Sequence, residues 1–419
     1  MNAANTMVEA PLRVAMIVHA YYERDARVRR YAETLVRAGH KVDVLALRGP
    51  GDPRRQVLKG VNVIRMPLRR RRGGIGRYVL EYLAFTFLAS LMLSLRHLEN
   101  RYDVVHVHNM PDFLVFAAWL PKLTGCKVIL DAHDLMPEVH ASKFGVSSSH
   151  PITKLLNLQE RISNRFADAV IFSSDLLREI ALRRGSCDPQ QTITVLNSPD
   201  PTIFDRNRHP WRGPDDATEF RLLYVGTVSP RHGVDQAVRA VALLADDIPG
   251  MRLLIYPRLA EGEGDALDDL RRLVEHEQLE RVIEFRDPIP LDQIPHEMAL
   301  AHVGLFTPRL DAHIDVALSI KVPEFVAMSV PIVTTKTRVM QRYFADDQVS
   351  YFEDGDIDSC AHAIRRIFED PEEARLMAQR ADRFLREHSW QVQSEQYMGL
   401  LSRLVSKTRS GLPRQPAGS

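Results

Sequence analysis

Short, almost wholly apolar segments alternate with helical segments along this chain, and the alternation occurs twice. Strands are predicted in the first half at residues 13–19, 41–47, 61–66, 103–108, 127–131, 169–172 and 192–196. In the second half they are predicted at residues 220–225, 251–255, 282–285, 303–306, 331–334 and 349–352. Helices are predicted at residues 25–38, 77–97, 112–123, 152–166, 175–184, 232–245 and 384–405. Strands that are apolar throughout are typical of a parallel sheet covered by helices on both faces, so the pattern predicts an α/β protein.

The two runs of strands and helices predict two domains. A chain of 419 residues is too long for one typical core. A stretch rich in proline, aspartate and arginine interrupts the pattern, and we expect it to form a linker over residues 201–219. We therefore expect two Rossmann-like domains facing a cleft, at residues 1–200 and 220–385, with ligands at the carboxyl ends of the strands. Residues 407–419 are expected to be disordered.

Composition excludes several classes of protein. The formal net charge of +1 is close to neutral, so the overall charge does not indicate binding to nucleic acid. The three cysteines, Cys126, Cys187 and Cys360, are far apart and make no metal-binding pattern, which indicates a reducing compartment. Residues 1–10 lack the features of a signal peptide, so a cytoplasmic protein is expected. The most apolar stretch, residues 78–95, is interrupted by Glu81 and is not expected to span a membrane.

Residues 319–335 read as a loop, a short helix, a tight turn and a buried strand. Ser319 can cap the helix, and Lys321 and Glu324 share one helical face. A helix N-terminus with a lysine nearby suits a diphosphate, and a glutamate one turn later can accept hydrogen bonds from a ribose. The alternative is a surface ion pair on an ordinary αβ unit.

This segment resembles the sugar-nucleotide site of family 4 glycosyltransferases, retaining enzymes of the GT-B fold, in the subset with a Lys-x-x-Glu motif. Residues 14–39, 130–138 and 222–240 resemble further family segments in the same order. The resemblance implies a nucleoside diphosphate-sugar donor bound to the second domain and no cofactor or bound metal ion. It also implies that a C-terminal helix, residues 386–406, crosses back to the first domain.

Residues 130–138 follow a predicted strand and resemble the family's Asp-x-His-Asp-x-x-Pro-Glu segment. The resemblance implies that His133 and Asp134 are catalytic, with the histidine close to the reacting carbon of the sugar. A histidine can donate to a hydroxyl or move a proton near neutral pH. The alternative is a histidine that satisfies backbone groups at the end of a strand. Glu138 is placed on the acceptor side, although Pro137 indicates a partly structural turn.

Further candidates for the acceptor side precede this segment. His106 and His108 would lie on one face of a strand, where two imidazoles could begin a metal site, but no third ligand is evident. We interpret His106 as a packing residue, and we expect His108 and Asn109 to border the cleft.

In the first loop the family often has paired glycines, whereas this chain has His19 and other polar residues. This polar content suits contacts with the acceptor or with phosphate, and His19 and Arg27 are placed on the acceptor side. The alternative is that Arg27 and Arg29 form a solvated helix face.

The loop after residue 225 resembles the family's Val-Gly-x-x-x-x-x-Lys-Gly loop, which binds the diphosphate. Gly226, Thr227, Arg231 and His232 are the corresponding donor-binding candidates. Thr227 stands where many members have arginine, and His232 where lysine is usual, so Arg231 and Lys321 are expected to supply the cationic clamp together. Arg286 lies in a loop expected to border the base.

Many family members carry two glutamates eight positions apart. Glu324 matches the second glutamate, but Val316 occupies the position of the first, which normally touches the donor sugar. We expect Asp315, or else Asp311, to serve instead. The Asp354-Gly-Asp356 triplet is interpreted as a turn and helix cap rather than as a metal site.

Four consecutive arginines, Arg69 to Arg72, precede the apolar helix predicted at residues 77–97. They could face an anionic membrane surface, which would make the protein peripheral at the inner face of the membrane. The alternative, which the sequence supports equally well, is that these arginines form a solvated loop beside a core helix.

With this resemblance, the sequence predicts a hexosyltransferase that moves a sugar to a glycan or lipid-linked acceptor. The resemblance implies retention and a role in cell-surface polysaccharide or glycolipid biosynthesis. Two alternatives stay open. One is a sugar-nucleotide epimerase or hydrolase on the same fold, which would turn over the donor alone. The other is a non-catalytic subunit of a polysaccharide assembly, because Thr227, His232 and Val316 depart from the family pattern.

Overall fold

The computed structural model describes residues 11–68, 75–147, 149–213, 219–258 and 264–409. The described chain forms two compact units. The first contains the residues up to Val195 together with those from Ser394 onward, and the second contains Leu196–Gln393. Each unit is built on one sheet flanked by helices, and the predicted α/β class is confirmed.

The first unit contains an eight-stranded sheet. Its strands are β1 (Arg13–Val18), β2 (Lys41–Leu47), β3 (Arg55–Leu58), β4 (Val61–Met66), β5 (Val104–His108), β6 (Lys127–Ala132), β7 (Ala169–Phe172) and β8 (Thr192–Thr194). They lie in the order β3-β4-β2-β1-β5-β6-β7-β8. All pairs are parallel except β3 with β4. The sequence did not predict β3, because this edge strand is largely exposed and has no apolar pattern.

Six α-helices lie between these strands along the described part of the chain. They are α1 (Ala26–Arg37), α2 (Ile75–Glu99), α3 (Trp119–Leu123), α4 (Met136–Phe144), α5 (Pro151–Phe166) and α6 (Asp175–Arg183). Asp25 caps α1 by accepting a hydrogen bond from the N–H of Val28. The single helix predicted at residues 112–123 is instead a 3-10 segment, Asp112–Ala118, followed by α3. Pro121 lacks an N–H group, so it cannot complete a regular α-helical ladder here.

The second unit contains a six-stranded, wholly parallel sheet. Its strands are β9 (Phe220–Thr227), β10 (Met251–Arg258), β11 (Ile283–Phe285), β12 (Val303–Phe306), β13 (Ile332–Thr335) and β14 (Ser350–Phe352). The strands lie in the order β11-β10-β9-β12-β13-β14. From β9 the chain adds β10 and β11 toward one edge of the sheet, and from β12 it adds β13 and β14 toward the other edge. In such doubly wound sheets a ligand binds at the carboxyl ends of the two strands where the order reverses.

Helices of the second unit alternate with these strands, and the last helix leads back to the first unit. They are α7 (Val234–Leu244), α8 (Gly264–His276), α9 (Ile294–Leu300), α10 (Lys321–Ala327), α11 (Arg338–Tyr343), α12 (Ile357–Glu369) and α13 (Pro371–His388). The last helix is α14 (Trp390–Arg409), most of which belongs to the first unit. The single helix predicted at residues 384–405 is two helices separated at Ser389. Helix α14 continues to Arg409, into the predicted tail, and residues 410–419 lie outside the described part of the chain.

The stretch predicted as a linker is bound to the second unit over its described part. Arg206 donates to Asp382 at 2.7 Å and to the carbonyl of Ala327 at 2.9 Å. The indole N–H of Trp211 donates to the carbonyl of Ala301 at 2.7 Å. The sequence pattern did not reveal these contacts, because one anchoring arginine and one anchoring tryptophan in an otherwise polar stretch give no helix or strand periodicity.

Candidate active site

A buried ion pair lies at the carboxyl end of β6 in the first unit. Asp131 is fully buried and accepts two hydrogen bonds from the guanidinium of Arg27, at 2.9 and 2.8 Å. The same guanidinium donates to the carbonyl of Val195 at 2.8 Å. Arg27 is therefore not part of a solvated helix face, and that alternative is wrong. Arg29, in contrast, is half-buried and lies 3.5 Å from Glu33 on the same helix.

Three histidines surround the carboxylate of Asp131. Its Oδ2 atom lies 3.2 Å from Nε2 of His133 and 3.2 Å from Nδ1 of His108. Nε2 of His106 lies 3.7 Å from the same oxygen. Both strand histidines are fully buried, whereas 19% of the His133 side chain is exposed. His133 is thus the member of the cluster that a substrate can reach.

Spacing alone would let His106, His108 and Asp131 act as metal ligands, since one ligand atom from each lies within 4.8 Å of the others. Asp131 is the third ligand that the sequence pattern did not reveal. However, both carboxylate oxygens already bind the guanidinium of Arg27, and a metal ion would have to compete with this cation. We therefore interpret the cluster as an ion-pair network that orients His133.

Burial and charge set the protonation states within the cluster. Burial alone would raise the pKa of Asp131, but the charge of Arg27 and the surrounding histidines hold it well below its usual range. Burial lowers the pKa of His106, and it lowers that of His108 still further with the help of His106. Both strand histidines are therefore neutral at pH 7, and Asp131 is ionised.

The backbone of the His133 loop is held independently of its side chain. The N–H of His133 donates to Oδ1 of Asn109 at 2.9 Å, and its carbonyl accepts from Ser173 at 2.5 Å. Nδ2 of Asn109 donates to the carbonyl of Asp134 at 2.7 Å and to Asp112 at 2.8 Å. The predicted residues Asn109, His133 and Asp134 thus come together, with Asn109 as the link between two loops.

The other acceptor-side candidates of the first unit are engaged in internal contacts. His19 is buried, lies 3.3 Å from Glu81 and packs edge-on against Tyr82 and Phe85. Glu138 forms an ion pair with Arg184, which also binds the buried Glu160 at 3.0 Å. These contacts favour structural roles for His19 and Glu138.

In the second unit, the loops after β9 and β12 are locked together at Gly233. This glycine has a φ of +57°, and a Cβ atom there would lie 2.1 Å from the carbonyl oxygen of Thr307. The hydroxyl of Thr307 donates to the carbonyl of Gly233 at 3.0 Å. Gly226 and Thr227 lie at the end of β9, where Tyr224 donates to the carbonyl of Thr227 at 2.6 Å. The predicted donor loop therefore lies at the point where the strand order reverses.

Arg231 and His232 follow on this loop, but only Arg231 brings a charge. The guanidinium of Arg231 lies 3.1 Å from Asp311 on the loop after β12. Nδ1 of His232 lies 2.7 Å from the hydroxyl of Ser229. Burial, with the help of Arg231, lowers the pKa of His232 to about 4, so His232 is neutral at pH 7. It cannot replace the charge of the lysine that the resemblance places there.

The Lys-x-x-Glu pair lies on α10. Nζ of Lys321 is 3.0 Å from Oε2 of Glu324, whose side chain is only 5% exposed. The helix begins at Lys321, and Ser319 accepts from the N–H of Lys321 at 3.4 Å without occupying the cap position. The sequence thus predicted the pair and its face correctly, whereas the capping role expected for Ser319 is reduced to this one long hydrogen bond.

The residues expected to replace the missing glutamate have other partners. Asp315 accepts from the backbone N–H of Arg338 at 2.8 Å and pairs with its guanidinium. Asp311 accepts from the N–H groups of His313 and Ile314, and Val316 is buried.

Two further predictions concern Arg286 and the Asp354-Gly-Asp356 triplet of the second unit. Arg286 is half-exposed and lies 2.9 Å from Glu284. Asp356 caps α12, which confirms the interpretation of the Asp354-Gly-Asp356 triplet as a turn and helix cap.

Sequence reasoning missed Asp131 as a site residue, and it missed the ion pair between Asp311 and Arg231. Asp131 had a detectable signal, because it is the only acidic residue in β6, whose central residues are apolar. That ion pair had no signal in the sequence, since it joins two loops 80 residues apart.

Both halves of the chain match known sequence families. Residues 25–198 match the family described as "Glycosyl transferase 4-like domain", and residues 205–384 match "Glycosyl transferases group 1". A D-inositol 3-phosphate glycosyltransferase of Corynebacterium urealyticum is 22% identical over 410 residues, which cover 94% of this chain and 93% of that protein.

Solved structures share the fold at low sequence identity. Sucrose-phosphate synthase from Thermosynechococcus elongatus superposes with a TM-score of 0.77 at 19% identity, covering 94% of this chain and all of that one. The Anabaena protein HepE in complex with UDP has a TM-score of 0.66 at 14% identity, over 94% of this chain and all of its own.

Proposed function

This chain is a glycosyltransferase of the GT-B fold, whose halves match the glycosyl transferase 4-like and group 1 families, and we propose that it transfers a hexosyl group with retention. The proposed donor is a nucleoside diphosphate-sugar bound to the second unit. The proposed acceptor is a hydroxyl group bound to the first unit, near His133.

One observation carries the donor assignment. The loops after β9 and β12 are joined at the reversal point of the strand order by Gly233 and Thr307. In doubly wound sheets this place binds nucleotides. Arg231 is held there by Asp311, and its planar guanidinium suits two oxygens of a diphosphate. A solved structure of HepE contains UDP, and this supports a nucleoside diphosphate as the ligand at this place.

Lys321 and Glu324 complete the proposed donor site. Glu324 is nearly buried and has Lys321 as its charged partner, so its orientation is defined before a ligand binds. We assign its carboxylate to the ribose hydroxyls. Arg231 and Lys321 would stabilise the negative charge that develops on the departing diphosphate.

His133 is the proposed catalytic residue of the first unit, with Asp134 beside it. Its Nε2 atom lies 3.2 Å from a buried, ionised aspartate and 3.1 Å from Nδ1 of His108, and these two partners orient the ring. An imidazole held in this way can donate to a sugar hydroxyl or move a proton.

The acceptor is proposed to be a glycan or lipid-linked sugar made for cell-surface polysaccharide or glycolipid, with the protein acting at the cytoplasmic side of a membrane. A small phosphorylated polyol is the second candidate. It is favoured by the relative described as a D-inositol 3-phosphate glycosyltransferase.

Thermal-shift measurements with UDP, GDP, ADP and dTDP test the donor site. A nucleoside diphosphate that binds the native protein should raise the melting temperature. Glu324→Ala should abolish most of that shift. Glu353→Ala removes an exposed glutamate from a weaker pair with Lys336 in the same unit and should leave the shift unchanged. A normal shift with Glu324→Ala would overturn the ribose assignment.

Release of nucleoside diphosphate from the matching sugar donor then tests the reaction. Turnover should require an acceptor, and lipid-linked glycans and phosphorylated polyols are compared directly. Fast turnover of donor alone would instead indicate an epimerase or hydrolase. Binding of donor without transfer to either acceptor class would indicate a non-catalytic subunit.

A further inference from the structure

Helix α2 exposes an apolar stripe along its whole length. The exposed residues repeat every three or four positions and are Leu80, Leu83, Phe87, Leu91, Leu95 and Leu98. Phe87 is 73% exposed. A second apolar stripe, Phe85, Ala89 and Leu93, is fully buried against the unit. The helix is therefore apolar on both sides, although only one side packs against the protein.

Helix α5 has the opposite polarity to that of an ordinary surface helix. Its buried side chains are polar and comprise Thr153, Glu160, Ser163 and Asn164. Four of its large apolar side chains face outward, and among them Leu155 is 64% and Leu158 is 51% exposed. Ile152 and Ile162 continue this stripe at helical spacing. A helix that covers a core places its apolar stripe inward, so the outward stripe of α5 requires another explanation.

The two helices belong to one layer of the first unit. The 3-10 segment Asp112–Ala118 packs against both α2 and α5. The indole of Trp119 in α3 donates to Ser90 of α2 at 3.0 Å, and Phe116 packs on Phe166 of α5 with ring centroids 5.0 Å apart. Trp119 and Leu123 are themselves exposed. We call the outward side chains of α2, α3 and α5 the apolar face.

Basic side chains accompany the apolar face. On α5 the exposed charged residues are Lys154, Arg161 and Arg165, while its only acidic residue, Glu160, is buried and bound to Arg184. Arg77 is exposed near the start of α2. The four arginines from Arg69 to Arg72 precede this helix in the sequence, although they lie outside the described residues. An apolar centre with a basic rim and no exposed acid on α5 matches an anionic lipid surface.

We propose that the apolar face docks this protein on a bilayer containing anionic lipids. This proposal does not depend on which donor and acceptor the protein uses, because no residue of the apolar face belongs to the proposed donor or acceptor site. A second copy of the chain fits less well. In a two-fold interface the same patch would meet itself, and the basic residues of α5 would face one another without exposed acids on that helix to pair them.

The geometry favours a helix lying on the membrane over one crossing it. By length and composition, residues Val79–Glu99 are the one described helical stretch that could cross a membrane, which alone is weak evidence. Only 17% of its most apolar window is buried. Yet α2 is tied to the unit at both ends, since Glu81 lies 3.3 Å from His19 and Arg96 lies 2.8 Å from Asp43. Crossing would require both ion pairs to break.

Flotation of the purified full-length protein with vesicles tests the proposal. The wild type should float with vesicles of phosphatidylglycerol and phosphatidylcholine, and raised salt should weaken this binding. The double variants L83S/F87S and L155S/L158S should each bind at least tenfold less. Leu243→Ser and Leu376→Ser change exposed leucines of the second unit and should float like the wild type.

Two controls keep the result specific. Melting temperatures of the double variants should stay within a few degrees of the wild type, because the replaced side chains are exposed. Their thermal shift with nucleoside diphosphate should also be normal, so failure of the donor proposal would be seen separately. Absence of wild-type binding to anionic vesicles overturns the proposal. So does a lipid-free wild-type dimer that the double variants convert to monomer in sedimentation experiments.

Discussion

Arg27 and Asp131 lie 104 residues apart in the sequence and form a bidentate ion pair that is buried on both sides. Arg27 comes from the first helix and Asp131 from the end of β6, so the pair joins two elements that flank the proposed acceptor side. Through Asp131 the pair also reaches His133. The ion pair therefore connects the stability of the first unit with the orientation of its proposed catalytic residue.

Arg27→Met should destabilise the protein strongly. Removing one partner of a buried ion pair leaves the other charge without compensation, which typically costs about 3–5 kcal/mol. The expected result is a clear drop in the midpoint of urea unfolding. The double variant R27M/D131N should recover part of the loss, because no charge then stays buried without its partner. Arg29→Met, on the half-buried face of the same helix, is the control and should have a small effect. An Arg27→Met variant as stable as the wild type would contradict the inferred role of the pair.

His133→Ala should lower turnover by about 10² or more, the scale that a positioned proton-transfer group contributes. Folding should be preserved, because the backbone of this loop is held through Asn109 and Ser173. Nucleotide affinity should also be preserved, since the proposed donor site lies in the second unit. Turnover, thermal shift and melting temperature are measured on one preparation. Lost folding would make His133 a structural residue, and full activity would remove it from the site.

Asp112→Asn should raise stability at pH 8 and reduce its dependence on pH. Burial raises the pKa of Asp112 to about 7 in the folded protein, with Asn109 opposing and Glu160 adding to the shift. Because the folded state holds this proton more tightly than the unfolded state, stability falls as pH rises from about 4 to about 7. A shift of this size corresponds to about 4 kcal/mol at most. Urea unfolding of both proteins at pH 5 and pH 8 measures the difference. Equal pH dependence in the two proteins would show that Asp112 does not titrate in this range.

Transfer activity should survive EDTA. Arg231 and Lys321 are proposed to meet the charge of the diphosphate, and Arg27 already occupies the carboxylate of the possible ligand group. Activity is measured with and without chelator, and metal content is measured on the same protein. Loss of activity that a divalent cation restores would make His106, His108 and Asp131 the first residues to test as its ligands.

The sequence by itself determined the fold class and most of the strands, because strands buried on both faces must be apolar throughout. It also placed Lys321 and Glu324 on one face of a helix, since residues three apart on a helix always share a face. Local spacing in the chain is enough for both inferences. It was also enough to predict the cap formed by Asp356.

Only the tertiary structure decided which polar residues meet. Arg27 could have been a solvated helix residue, and its pairing with Asp131 depends on the distance between two elements that no local pattern encodes. The same holds for Arg231 with Asp311, and for the buried environment that makes His232 neutral. The outward leucines of α5 are the clearest case. Their spacing indicates an amphipathic helix, but whether the apolar or the polar side is buried depends on what the rest of the unit places beneath it.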